Sequence, residues 1–68
     1  MSIEFARKKL QRAVRGLVRA EVSASWAGSA RPEEAKFLRS NVRSHKRNVK
    51  IAMAEFETAV RAEARPYL

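Results

Sequence analysis

Ala27-Gly28-Ser29-Ala30-Arg31-Pro32 is the clearest break in the chain, and its reading decides the fold. Gly28 suits the position just past a helix end, since it accepts positive φ without a Cβ clash. Pro32 suits the first position of a new helix, where its missing N–H has no partner to lose. Glu33 and Glu34 follow at once, and negative charge in a first turn favours the helix dipole. Helix 1 is therefore expected over about 3–27 with Ser2 as its N-cap, a turn over 28–31, and helix 2 over about 32–65, stopping before Pro66.

The periodicity outside the break agrees. Ile3, Ala6, Leu10, Ala13, Leu17, Ala20, Ala24 and Ala27 step by three and four; so do Ala35, Leu38, Val42, His45, Val49, Ala52, Phe56 and Ala59. Each set is a seam of the coiled-coil kind. Val14 and Val18 widen the first seam, and Met53 and Val60 the second. Beside the first seam runs a row of small residues, Ala13, Gly16, Ala20, Ser23 and Ala27. Gly16 inside a helix costs about 1 kcal/mol relative to Ala. A close backbone approach by helix 2 would account for it, with a kink as the competing reading. Ser40, Asn41, Ser44 and Asn48 are mediocre helix formers around His45, so a break near 44–48 is the alternative to one continuous helix 2.

The fold class that follows is all-α, a single helical-hairpin domain over 1–68 with its helices antiparallel. Helix 2, at ~1.5 Å per residue, would be about 50 Å long and would overhang helix 1, leaving Ala59, Val60, Tyr67 and Leu68 unpartnered. Two helices cover only one side of each other, and chains this short rarely bury enough surface alone. The expected remedy is a homo-oligomer, most simply a dimeric four-helix bundle, or docking on a larger partner. Ile3, Leu10, Leu17, Trp26, Leu38, Val42, Val49, Phe56 and Val60 are the expected core and interface residues. Trp26 is read as capping one end of the core, or else as an exposed anchor for a partner. Phe5 and Phe56 would meet at the open end, while Phe37 lies off the seam.

Charge is the second signal. Fifteen Lys and Arg against seven Glu and no Asp give a formal net charge of +8. Residues 1–20 carry +5 and residues 36–50 carry +6, while the stretches between and after them are nearly balanced. Lys8, Arg12, Arg15 and Arg19 are spaced four, three, four; Arg39, Arg43, Lys46 and Lys50 repeat that spacing, with Arg47 beside them. Each set lines one helical face. A fold-back at Gly28 brings residue 20 beside about 39 and residue 12 beside about 47, so both blocks reach one level. Their mutual repulsion opposes folding until counter-charge is supplied, and a polyanion supplies it with release of its own counterions.

Most chemistries are excluded by composition. There is no Cys, hence no disulfide framework, zinc-thiolate site or thiol nucleophile. One His and no Asp leave little for a metal site or a triad. His45 falls on the helix 2 seam between Val42 and Val49, where the plain reading is a packed interface residue; protonation there would insert charge into the interface. Its sequence neighbours Ser44 and Lys46 make no dyad. Gly16 and Gly28 are isolated and form no phosphate loop, and Glu57–Arg61 and Glu4–Lys8 read as ordinary surface pairs. No enzyme activity and no cofactor are expected. No apolar run approaches the ~20 residues of a membrane span. Helix 1 has the look of a bilayer-surface or transit segment, but the helix 2 seam offers its apolar side a better home.

Two functions remain as expectations. The first is sequence-nonspecific binding of nucleic acid through backbone phosphates, carried by Lys8, Arg12, Arg15, Arg19, Arg39, Arg43, Lys46, Arg47 and Lys50. The second is a protein-interaction module, in which those cations steer the chain to an acidic protein surface. Such a module would act in virion assembly or as a small inhibitor of a host protein. The Arg- and Ala-rich wording is compatible with a phage or bacterial accessory protein, so the expected location is the cytoplasm or a virion.

Overall fold

In a computed structural model, residues 2–29 and 31–64 are described, and they form two helices folded back antiparallel on each other. Helix α1 spans Ile3–Ala24, a short 3-10 turn spans Ala27–Ser29, and helix α2 spans Pro32–Ala64. The fold is all-α, and the reversal lies where the glycine–proline stretch placed it. The expected end of helix 2 at residue 65, together with Tyr67 and Leu68, lies outside the described residues.

Each terminus has a chemical cause. Ser2 is in extended conformation, and its Oγ accepts from the Phe5 N–H at 3.1 Å. Its carbonyl accepts the first helical bond, from Ala6 N–H at 3.0 Å. Replacing Ser2 with Ala is expected to cost about 1 kcal/mol. In a thermal melt that is a fall of about 4–8 °C for a chain of this size. Helix α1 ends three residues before the expected 27. The Ser25 hydroxyl donates to the Val22 carbonyl, and the Trp26 N–H bonds back only to Ser23 at 3.2 Å. The last turn therefore tightens and the chain leaves the helical path. Gly28 is not in the left-handed region, so its expected role as a positive-φ cap is corrected: the turn is closed instead by Ser29 N–H to the Trp26 carbonyl at 3.0 Å. Pro32 does open α2, with Glu33 and Glu34 in its first turn and the Arg31 carbonyl accepting from Ala35 N–H at 2.8 Å. Helix α2 runs without a break through 44–48.

The seams face each other. All eight positions of the α1 series, which extends into the 3-10 turn, and all eight of the α2 series are buried or half-buried. Among the described residues only alanines are buried: Ala6, Ala20, Ala35, Ala52 and Ala59. Small residues at the closest approach let the helices pack tightly, and Leu10, Leu17, Leu38, Val42, Val49 and Phe56 spread beside them, half-exposed. Ala59 is buried, so packing reaches farther along α2 than the expected overhang allowed, while Val60 stays exposed.

The widening residues behave differently from expectation. Val14 is 42% exposed, Val18 55% and Val22 59%. The trend follows from geometry, since each i,i+4 step overshoots one helical turn by about 40° and carries the row away from the seam. Met53 is exposed as well. Trp26, at 68% exposure, does not cap the core, and Phe5 is also exposed and forms no closed open-end core with Phe56. Both corrections have one cause: two helices leave no third surface to cover a large side chain.

The size of that deficit can be stated. The chain exposes 5800 Å², against roughly 4,300 Å² for a compact monomer of its mass. Its radius of gyration is 16.0 Å, against about 11 Å for a globular chain of this length. The hairpin is a rod, with Cα extents of 55 × 14 × 13 Å.

Candidate nucleic-acid interface

The contact of Gly16 with His45 marks the register of the two helices. A Cβ built on Gly16 would lie 2.9 Å from the His45 Nδ1 and 3.0 Å from its Cε1. Gly16 thus makes room for an imidazole, not for the α2 backbone, and α1 passes through it as unbroken helix. Pairing residue 16 with 45 is two residues out of step with a fold-back centred to join 20 with 39. Both basic blocks still fall at the same level of the rod.

The nine cations singled out from the sequence are all exposed. Among the described residues none of them enters an ion pair. The two pairs formed are Arg7–Glu4 at 3.4 Å and Lys9–Glu55 at 2.9 Å. Glu4 therefore pairs with Arg7, not with Lys8, and Glu57–Arg61 does not form. Lys9–Glu55 links the two helices, and sequence spacing gave no sign of it. The ammonium donates to Oε1 at 3.1 Å and faces the buried Oε2 off the hydrogen-bonding direction. Both side chains remain partly solvated, so Glu55→Gln is expected to cost under about 1 kcal/mol, a fall in Tm of only a few degrees that salt further reduces.

The stripes meet in level but not in face. Arg12 and Arg19 rise on the side of α1 that carries Gly16, where they and Lys9 border hollows shared with Asn41, His45 and Asn48 of α2. Lys8 and Arg15, at about 100° per residue, point to the back of α1, and Arg47 to the back of α2. Arg39 and Lys46 and, farther round, Arg43 and Lys50 lie on the opposite broad side, away from Asn41 and Asn48 and toward Val14 and Val18. The two blocks share a level without sharing a face, and the cations form a belt around the waist. The rod is only 14 by 13 Å across its Cα atoms. Charges on opposite sides project outward from it and stand well beyond the Debye length of about 8 Å at physiological salt, so the repulsion that counts is among cations on the same side.

Asn41, Asn48 and Ile51 also line the hollow side; on sequence the two asparagines count as mediocre helix formers and, within the Ser/Asn-rich patch at 40–48, as a weak candidate for base readout, while Ile51 has no role. Their signal was spacing: Asn41 and Asn48 stand four before and three after His45, which puts all three on one flank. Among the described residues, no three His, Cys, Asp or Glu side chains come together as metal ligands, and no helix is long and apolar enough to cross a membrane.

Fold and site together define a class: a cationic two-helix hairpin with an alanine core and unpartnered apolar side chains. No protein-family model, curated protein or solved structure matches the chain at a significant level.

Proposed function

We propose that this chain is a non-enzymatic, self-associating helical hairpin that binds nucleic acid through backbone phosphates, with little regard to sequence. The observation that carries the reading is the unpaired cationic belt. Two blocks of +5 and +6 meet at one level of a thin rod, and only two ion pairs form among the described residues, neither within the nine cations. Such a concentration of like charge disfavours the compact state by self-repulsion, and a polyanion relieves it. Self-association is supported by the exposed row Val14, Val18, Val22 and Trp26. The surplus of roughly 1,500 Å² over a compact monomer exceeds the ~800 Å² per partner of a standard interface, so one second copy has enough surface to cover.

Absolute mass in solution, read with the 260/280 nm absorbance ratio on the same peak, tests both parts. The expected result is at least twice the 7.7 kDa chain mass, with an absorbance ratio above that of protein alone. Self-association should strengthen as salt rises, because Lys46 and Arg39 border the apolar row, while nucleic-acid binding should weaken. A monomeric mass that salt does not change removes the oligomer.

A second reading has its own observation. Phe37, at 67% exposure, and Trp26 stand apart from the belt and suit anchors for a protein partner with an acidic surface. On that reading the chain is an accessory module in virion assembly or host-protein inhibition. A stoichiometric protein retained after nuclease treatment and a high-salt wash favours this second reading; loss of everything with nuclease favours the first.

A further inference from the structure

We infer that the hollow side of the hairpin, centred on the contact of His45 with Gly16, is the seat of one phosphodiester strand. The inference rests on the polyanion reading above and names the face that does the binding.

Three choices that an apolar helical seam does not favour converge at this place. Gly16 lies in the middle of α1 at a cost of about 1 kcal/mol relative to Ala. His45 stands on a seam otherwise made of Ala, Leu, Val and Phe. Asn41 is half-buried and Asn48 exposed, and each borders one of the two hollows that meet at Gly16 and His45. Local departures from what the fold prefers mark functional places more often than they occur by chance. Here the departures are also chemically alike: each adds a hydrogen-bonding group or the room for one.

The hollows have volumes of about 420 and 280 Å³ and share Gly16 and His45. Arg12 and Arg19 stand over them from α1, and Asn41 and Asn48 from α2. Arginine offers five N–H donors, an Asn amide two, and an imidazole at least one; phosphate oxygens accept all of them. Arg12 and Arg19 are seven residues apart, as are Asn41 and Asn48, which is about 10.5 Å along each helix. The two pairs run alongside each other in antiparallel helices. They make a track long enough for more than one phosphate of a strand, not a point site for a single phosphate. No carboxylate lines either hollow, and Glu55, on the same helix as the asparagines, is tied to Lys9. The opposite side lacks these features. There Arg39 and Lys46 border Val14 and Val18, with charge but without the amide and imidazole donors.

Two charge-matched double variants separate the faces. Affinity for a fluorescein-labelled 20-mer of thymidylate is measured at several salt concentrations, with helicity checked by far-UV circular dichroism. Arg12→Ala with Arg19→Ala is expected to weaken binding at least tenfold and to lower the salt slope by about 1.4, the value for two single-strand phosphate contacts. Arg43→Ala with Lys50→Ala removes the same charge and is expected to weaken binding less than threefold. Asn41→Ala with Asn48→Ala is expected to weaken binding several-fold at an unchanged slope, since neutral donors release no counterions. Should the arginine variant lose helicity, Arg12→Lys with Arg19→Lys keeps the charge and removes the fork; affinity should then fall with the slope intact. Equal losses from both faces, or no effect of the Asn pair, overturn this seat while binding by the native chain still supports the polyanion reading. No binding by the native chain at 50 mM salt overturns both.

Discussion

Between 50 and 200 mM monovalent salt, affinity of the native chain for duplex DNA is expected to fall about five-hundredfold. The estimate starts from the belt. Of the nine exposed cations, Arg39, Arg43, Lys46 and Lys50 lie on the side away from the hollows, which leaves about five for phosphate contact. Each contact on duplex DNA contributes about −0.9 to the slope of log K against log salt. Five give about −4.5, and a fourfold rise in salt then costs about 2.7 decades, near 4 kcal/mol. Duplexes of different sequence but equal length should bind within a few-fold of one another, because phosphates carry no sequence information. Fluorescence anisotropy across the salt series measures both. A solvated, non-binding face predicts no saturable signal even at the lowest salt. The same binding should stabilise the hairpin, since a ligand that prefers the folded chain raises its Tm by mass action.

The hairpin was legible because its signals were local and repeated. Gly and Pro punctuate the chain only near the reversal, at the single position 16 and near the end, and both seams keep their three–four spacing from start to finish. Sixteen positions read as inward-facing are all buried or half-buried. What periodicity alone could not supply was depth. Val14 and Val18 extend the apolar arc on a helical wheel, yet a hairpin has only one partner surface, so residues at the arc's edge face water. Trp26 shows the same limit at the turn, where α1 ends three residues early and the chain has already left the helix axis. The relative placement of the two basic stripes needed more still. Each stripe was readable as a helical face, but the side on which it emerges depends on the angle between stripe and seam in both helices at once. For α1 that angle leads behind the helix and toward Gly16; for α2 it leads to the side of Val14.

Gly16→Leu is expected to destabilise the hairpin by about 1–3 kcal/mol, the range for forcing extra methylenes into filled space. For a domain whose buried side chains, among the described residues, are five alanines, that is a large fraction of the stability available. The reason can be isolated with a gentler change. Gly16→Ala brings two opposed effects. Alanine gains about 1 kcal/mol over glycine in a helix interior. Its Cβ, however, would meet the imidazole at 2.9 Å, and the ring must move. In the native background the two should nearly cancel, leaving Tm little changed. Once His45 is replaced by Ala the obstruction is gone, and Gly16→Ala should then stabilise by about 1 kcal/mol, or about 4–8 °C. The difference between the two backgrounds is the coupling energy of the pair, and thermal melts of the four proteins in the cycle give it directly. A glycine kept for a kink, or for contact with the α2 backbone, makes another forecast: Gly16→Ala would then harm the fold equally whether or not His45 is present. The cycle therefore decides whether residue 16 is small for the sake of the helix path or for the sake of the ring seated on it.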